Sequence, residues 1–479
     1  MGIGDIADDL LEGVESARRE IGGWFEPTLR LGVTGLSGAG KTVFITALVA
    51  SLLHRGRLRM LGAQAEGRIE AVNLRPQPDP EIPRFAYETH VKALTGSDRC
   101  WPQSTRSVSQ LRLSIRYQPA GMVSGLFGPS VLHLDIVDYP GEWLLDLPLL
   151  EQGYDAWARH ALETAQSPAR APHAGDWTRA LSEADPAAAH DEPMAEALST
   201  AYRGYLQKCR LAGHSALAPG RFLMPGDLDG SPALTFAPLP KPDRGPRGSL
   251  YAQMRDRFEA YKRVVARPFF RDHFARLDRQ VVLIDALDAL ANGPRAVADL
   301  TATMAETLGC FHHGRNSWLD ALLGGRRIDR LLFCASKSDH LHHTQHPQLL
   351  TLVEGMLAEA QRQAEWAGAE TRAIAIAAIR ATAEQEITRD GRRLRLVRGI
   401  RSDTGREAAI FPGALPDDPR ALLATADAAQ PGAAPSDWPE GDFAALRFAP
   451  PSWGAAPEDG PPHIRLDSAI EFLIGDKLE

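Results

Sequence analysis

The chain is 479 residues long, 44% hydrophobic and 24% charged, with a formal net charge of -8 and four cysteines. That length exceeds one compact core, so two domains or one domain with a large insertion is expected, and the ordinary composition excludes a wholly disordered or fibrous chain. The acidic balance excludes the global basic footprint of a sequence-independent nucleic-acid binder, and no nucleic-acid partner is expected.

Cys100, Cys209, Cys310 and Cys334 lie far apart without C-x-x-C spacing. They read as free thiols in a reducing, cytoplasmic setting. No stretch reaches the roughly 20 apolar residues that cross a bilayer, so no transmembrane segment is expected. Only seven of the 53 basic residues are lysine, so each lysine invites a question.

In chain order, Ile3, Ile6, Leu10, Val14, Ala17 and Ile21 recur three or four apart, which predicts an amphipathic helix within residues 1–27. Its polar face is acidic, which favours docking on the protein body over an anionic membrane. A short apolar strand, Leu29 to Thr34, precedes Gly35-Leu36-Ser37-Gly38-Ala39-Gly40-Lys41-Thr42, and an apolar helix runs on to Leu53. Residues 54–100 are poorly periodic. Leu111–Tyr117 and Leu132–Ile136 alternate apolar and polar residues and read as an antiparallel pair. Residues 142–275 are mainly helical, clearest at 192–213 and 249–275, with a Pro/Gly-rich connector at 219–248. Strand patterns return at Val281–Ile284, Leu331–Cys334 and Ala373–Ile379, separated by helical ones, which predicts an α/β fold with a mostly parallel sheet flanked by helices. Asp390-Gly391 marks a hairpin. Residues 412–463, rich in Ala, Pro, Gly and Asp, read as a loose excursion, and Ile464–Ile474 as a return to the core.

Three motifs carry chemistry. G-x-x-x-x-G-K-[ST] between a strand and a helix is a phosphate loop, whose glycines let backbone N–H groups curl around phosphates. Gly35, Ser37, Gly38, Ala39 and Gly40 would form that cradle. Lys41 would reach the β- and γ-phosphates, and Thr42 would bind Mg²⁺. Asp138-Tyr139-Pro140-Gly141-Glu142 follows an apolar strand. Asp138 there suits Mg²⁺, and the Gly141 N–H suits sensing of the γ-phosphate. Ser336-Lys337-Ser338-Asp339 ends another strand. Asp339 would accept both N–H groups of guanine's N1/N2 edge, and the Lys337 stem would pack along the base. Serine replaces the usual asparagine or threonine in the first place. The turn Arg380-Ala381-Thr382 would finish the base pocket.

Trp101-Pro-Gln-Ser104-Thr105-Arg106 is a candidate first switch, with Thr105, or Ser104 in reserve, as a third Mg²⁺ ligand and Arg106 as an arginine acting in cis. Glu142 stands where an attacking water would be oriented. His340, His342, His343 and His346 lack a clean i, i+4 pair with a carboxylate and read as a solvated helix start. Arg392-Arg393-Leu394-Arg395 reads as a solvated edge that discourages strand pairing.

With these residues, the chain resembles the YcjX-like (DUF463) family of bacterial phosphate-loop NTPases. The resemblance rests on GLSGAGKT (35–42), WPQSTR (101–106), DYPGEW (138–143), PGRFLMPGDLDG (219–230), SKSDHL (336–341) and HIRLDSAIEFLIGDK (463–477). It implies a Ras-like domain at 28–145 and 276–479, with a helical domain inserted at 146–275. It also implies a cytoplasmic, stress-associated protein with a membrane-protein partner, peripheral to the inner membrane through that partner. Tyr205-Leu206-Gln207 is similar to the Tyr-x-Gln finger of RabGAP-type domains, without a matching Ile-x-x-Asp-x-x-Arg. The reading is a GTP-binding protein that hydrolyses GTP to GDP with Mg²⁺. An ATPase of the same fold and a non-catalytic nucleotide-binding scaffold are the alternatives.

Overall fold

The computed structural model describes residues 26–36, 38–103, 107–120, 128–244, 246–309, 328–389, 391–428, 438, 439, 441, 443, 447–453 and 459–479. The N-terminal amphipathic helix, residues 104–106 of the first switch and Ser37 lie outside these residues.

The elements in order are β1 (Thr28–Gly35), α1 (Lys41–His54), β2 (Ile69–Arg75), α2 (Tyr87–Thr95), β3 (Ser109–Tyr117) and β4 (Ser130–Asp138). Next come α3 (Tyr154–Ala165), α4 (Gly175–Glu183), α5 (Glu192–Leu211), α6 (Leu250–Tyr261) and α7 (Arg267–Asp272). The chain then returns through β5 (Arg279–Ile284), α8 (Ala286–Ala291), α9 (Pro294–Gly309), β6 (Arg330–Ala335), α10 (His346–Trp366) and β7 (Glu370–Ala375). It ends with β8 (Ala383–Arg389), β9 (Arg392–Ile400), β10 (Glu407–Ile410), α11 (Arg420–Ala428) and α12 (Leu466–Ile474).

A seven-stranded sheet runs in the order β2-β3-β4-β1-β5-β6-β7. β4, β1, β5, β6 and β7 are mutually parallel, and β2 and β3 add an antiparallel margin. Period-two alternation splits each central strand between two cores. Val281 and Leu283 of β5 face a layer containing α1 and α12, whereas Val282 and Ile284 face one containing α9, α10 and α11. Helices on both faces explain why β5 is buried at all six positions.

Residues between β4 and β5 build a third core of their own, rich in aromatic rings. Trp157 stacks on Phe258 with centroids 4.6 Å apart, and Trp177 stacks on Tyr205 at 5.0 Å. This core includes Val137, Tyr139, Trp143, Leu144 and Leu145 from the end of β4 and the segment after it. The chain leaving the sheet is therefore packed into the helices at once.

Several expectations require correction. The poorly periodic stretch 54–100 contains β2 and α2, and only one face of β2 meets the core, so its apolar signal is diluted. The third strand pattern starts earlier and stops sooner than Ala373–Ile379, at Glu370–Ala375. Within 412–463, α11 packs against α9 and α10 and buries Leu422 and Ala426. The basic run 392–395 is not at an edge. β9 is the middle strand of a sheet ordered β10-β9-β8, and Glu386 on β8 lies 3.7 Å from Arg393 and 3.5 Å from Arg395. Cross-strand neutralisation lets a basic strand occupy the centre. Tyr205 is 3% exposed within the aromatic core, so the Tyr-x-Gln resemblance falls on a packing residue.

Candidate nucleotide-binding site

The parallel strands present their carboxyl ends along one margin of the sheet, the usual location of ligands in this architecture. In order across that margin lie Asp138 after β4, the loop after β1, Asp285 after β5, Ser336 after β6 and the residues after β7. The β1 and β6 ends are two strand spacings apart, about 10 Å. That separation suits phosphates at one end and a base at the other.

The loop after β1 turns into α1 through Gly38 (φ 86°) and Gly40 (φ 91°). Both are left-handed positions, and a Cβ added at either would meet nothing within 4 Å. The space beside both glycines is therefore open, at the N-terminus of a 14-residue helix that has no side-chain cap. Such a helix start offers N–H groups and a positive dipole end to an anion. Lys41 is 5% exposed and its ammonium donates to the Gly35 carbonyl and, at 3.5 Å, to that of Leu36. Burial holds this lysine below its ordinary range, opposed by the charges of Glu142 and Asp138 and reinforced by Arg210. Thr42 is 6% exposed, with its hydroxyl 3.3 Å from the Gln103 carbonyl just ahead of residues 104–106. Asp138 is 2% exposed, and its strand position pairs with Val33 of β1. Thr42 and Asp138 present oxygen donors only, a set whose chemistry fits Mg²⁺.

The segment after Asp138 joins the sheet to the helices that follow it. Gly141 has no room for a side chain: a Cβ there would overlap the Gly35 carbonyl. The following helical turns, Gly141–Asp146, are buried throughout. Glu142 lies 3.6 Å from the guanidinium of Arg210, which projects from the last turn of α5. Gly220 stacks so closely on the Glu142 carbonyl that a Cβ would overlap it. Asp146 accepts from the Gly220 N–H at 2.6 Å, the Arg221 N–H at 3.1 Å and the Tyr261 hydroxyl at 2.5 Å. Even so, burial pushes its carboxyl up to about 6. Trp143 donates to the Met224 carbonyl at 3.0 Å, and the Arg221 guanidinium lies 3.9 Å over its ring. Pro219–Met224, an unexplained run of the sequence, is thus the surface that grips the segment after Asp138.

At the other end, Ser336 donates to the Ile284 carbonyl at 3.2 Å, and Lys337, in a left-handed conformation (φ 57°), pairs with Asp285. The Asp339 carboxylate accepts from the Ala381 N–H at 2.8 Å, and the Thr382 hydroxyl donates to the Asp339 carbonyl at 2.5 Å. Arg380 anchors the turn through its N–H to the Pro462 carbonyl at 2.7 Å and its side chain to the Thr382 carbonyl at 2.9 Å.

The structure therefore gathers Gly35, Gly38, Ala39, Gly40, Lys41, Thr42, Asp138, Gly141 and Glu142 in one group, and Ser336, Lys337, Asp339, Arg380 and Ala381 in a second on the same margin. Ser37, Thr105 and Arg106 lie outside the described residues. Arg210, Asp285, Asp146 and Gly220 escaped sequence reasoning. Arginine is too common here for Arg210 to stand out, and its partner is 68 positions away. The histidine run is not a solvated helix start. His342 and His346 are 3% and 2% exposed, and the His346 ring bonds the Ser338 carbonyl at 2.8 Å.

A family model described as YcjX-like family, DUF463, matches residues 29–478. The Ras-like GTPase YcjX of Escherichia coli K12 is 38% identical over 467 residues, covering 94% of this chain and 96% of that protein. The Ras-like GTPase YcjX of Shewanella oneidensis MR-1 is 36% identical over 475 residues, covering 94% and 95%. The chain belongs to the YcjX-like family. No helix among the described residues is long and apolar enough to cross a membrane.

Proposed function

We propose that this member of the YcjX-like family binds GTP, hydrolyses it to GDP and phosphate with Mg²⁺, and transmits the change to its inserted helices. Relatives named Ras-like GTPase support a GTPase-like nucleotide-binding protein. The observation that carries the finer reading is the convergence of Lys41, Asp138, Glu142 and Arg210.

Lys41 and the loop amides would stabilise charge on the transferring phosphate, where positioning and electrostatics are most of the catalysis. Phosphate oxygens would replace the two loop carbonyls that Lys41 contacts. Thr42, Thr105 and Asp138 would hold Mg²⁺ directly or through water, and the ion would neutralise charge on the phosphate oxygens. Glu142 can accept a hydrogen bond from an attacking water. As a carboxylate it cannot donate to the phosphate, so intrinsic turnover is slow unless a cation compensates. Arg210, 3.6 Å from Glu142, is a candidate for that role beside Arg106. Asp339 would select guanine, and the Ala381 N–H that holds its carboxylate keeps it aimed. The domain division at 146 and 275 belongs to this reading. The separate aromatic core supports it, and the joint at Gly141–Asp146 is where the nucleotide state would be passed on.

Phosphate release from GTP and from ATP by wild type, Lys41→Ala, Glu142→Gln, Arg106→Ala and Arg210→Ala tests the reading. Turnover of GTP that falls with Lys41→Ala and Arg210→Ala supports it. ATP turned over as fast as GTP would sink the role of Asp339, and unchanged rates in every variant would sink the catalytic assignments.

A further inference from the structure

Outside the catalytic group, two histidines and a glutamate from distant parts of the chain meet beside the base pocket. His343 Nδ1 lies 2.6 Å from Glu384 Oε2, and His342 Nε2 lies 3.9 Å from the same oxygen. The two rings are 4.4 Å apart at 34°, and one donor atom from each of the three residues lies within 4.8 Å of the others. We propose that His342, His343 and Glu384 bind a divalent transition-metal ion of the zinc class, which clamps the two loops of the base pocket together and tightens nucleotide binding.

Two imidazoles and a carboxylate with a fourth position for water form a common zinc donor set, whereas Mg²⁺ and Ca²⁺ prefer oxygen. Each donor is already oriented. His342 Nδ1 lies 3.1 Å from the Thr344 hydroxyl, which fixes the ring with Nε2 toward Glu384. The Thr344 N–H also donates to that Nδ1, at 3.4 Å, and holds the ring in the same pose. The second Glu384 oxygen accepts from the His343 N–H at 3.0 Å, which turns the first toward the rings. Arg380 lies 3.8 Å from Glu384, and Arg395 lies 3.2 Å from the Thr344 hydroxyl. These cations weaken the site relative to a closed structural zinc centre, and suit it to reversible binding.

Placement supplies the consequence. His342 and His343 follow Asp339 by three and four residues, and Glu384 follows Ala381 by three. Asp339 and Ala381 are joined by a 2.8 Å hydrogen bond. An ion across the three side chains would hold the same two loops in the same approach, and linkage makes the coupling reciprocal. This consequence rests on the guanine-pocket reading, whereas metal binding itself does not.

The test is calorimetric titration of Zn²⁺ into the full, untagged chain without nucleotide, beside His343→Gln, Glu384→Gln and the distant control His160→Gln. Co²⁺ absorption would report the coordination. One Zn²⁺ per chain, lost in the first two variants and kept in the control, with at least about fivefold tighter GDP binding when Zn²⁺ is present, supports the proposal. Absent binding, or binding that survives both substitutions, overturns the site. Bound Zn²⁺ with unchanged GDP affinity overturns the clamp. Zn²⁺ bound at this site by a chain that binds no guanine nucleotide would instead support the metal site and count against the nucleotide reading.

Discussion

The two ends of the candidate site are built on different physics. At the phosphate end, three ionisable side chains are gathered where water is largely excluded: Lys41, Asp138 and Glu142 are 5%, 2% and 5% exposed, and the partly exposed Arg210 meets them from the helices between β4 and β5. At the base end, one carboxylate is aimed by a backbone N–H, and a lysine is paired aside with Asp285. Charges in low dielectric interact strongly and depend on every neighbour. A carboxylate aimed by the backbone is largely independent of remote side chains. The phosphate end should therefore be sensitive to the insertion, and the base end to local substitution only.

The largest expected effect is that of Arg210→Ala, which should slow GTP turnover by on the order of 10²-fold while leaving GDP affinity nearly unchanged. Single-turnover phosphate release beside GDP titration would check this, and equal loss of both would erase the contrast. Asp146 comes next. Its folded-state value near 6 lies above the ordinary 3.8, so the folded protein holds this proton more tightly than the unfolded chain. Its contribution favours folding at low pH and is lost as pH rises from about 4 to 6, by roughly 2–3 kcal/mol. Denaturant unfolding across that window should show a pH slope that Asp146→Asn flattens, with the insertion melting as the reporter. Asp339→Asn should cost about 1.5–3 kcal/mol of guanine preference, read as GTP affinity relative to ATP, with little effect on thermal stability. The smallest effect belongs to Glu142→Gln, whose amide can both accept and donate. A rise of about threefold in GTP turnover, ~0.65 kcal/mol of barrier, is expected.

Much of the base end was legible because its residues are sequence neighbours: Ser336, Lys337 and Asp339 sit on one turn after an apolar strand. The phosphate loop was legible for the same reason, since a helix start with left-handed glycines demands a local code. The rest depends on long-range partners. Arg210 matters only because α5 ends beside Glu142. Gly220 matters only because its Cα stacks on the Glu142 carbonyl. Glu384 turns a histidine run into a donor set only because β8 leaves the base-pocket turn beside it. The lysine count divides the same way. Lys41 and Lys337 fell on motifs, whereas Lys208, Lys241 and Lys262 acquired Asp176, Asp155 and the Gln152 carbonyl as partners only in the fold.

By itself, then, the sequence determined the alternation of strands and helices, the phosphate loop, the carboxylates at the ends of β4 and β6, and the helical character of the stretch between β4 and β5. These are properties of short segments, set by period, turn chemistry and motif. Only the tertiary structure decided that Arg210 and Gly220 close on the segment after Asp138. Only it decided that a basic strand can lie at the centre of a sheet. Burial and Coulomb energy are set by distance in space, and residues 142, 210 and 220 become neighbours only when the aromatic core between β4 and β5 has formed.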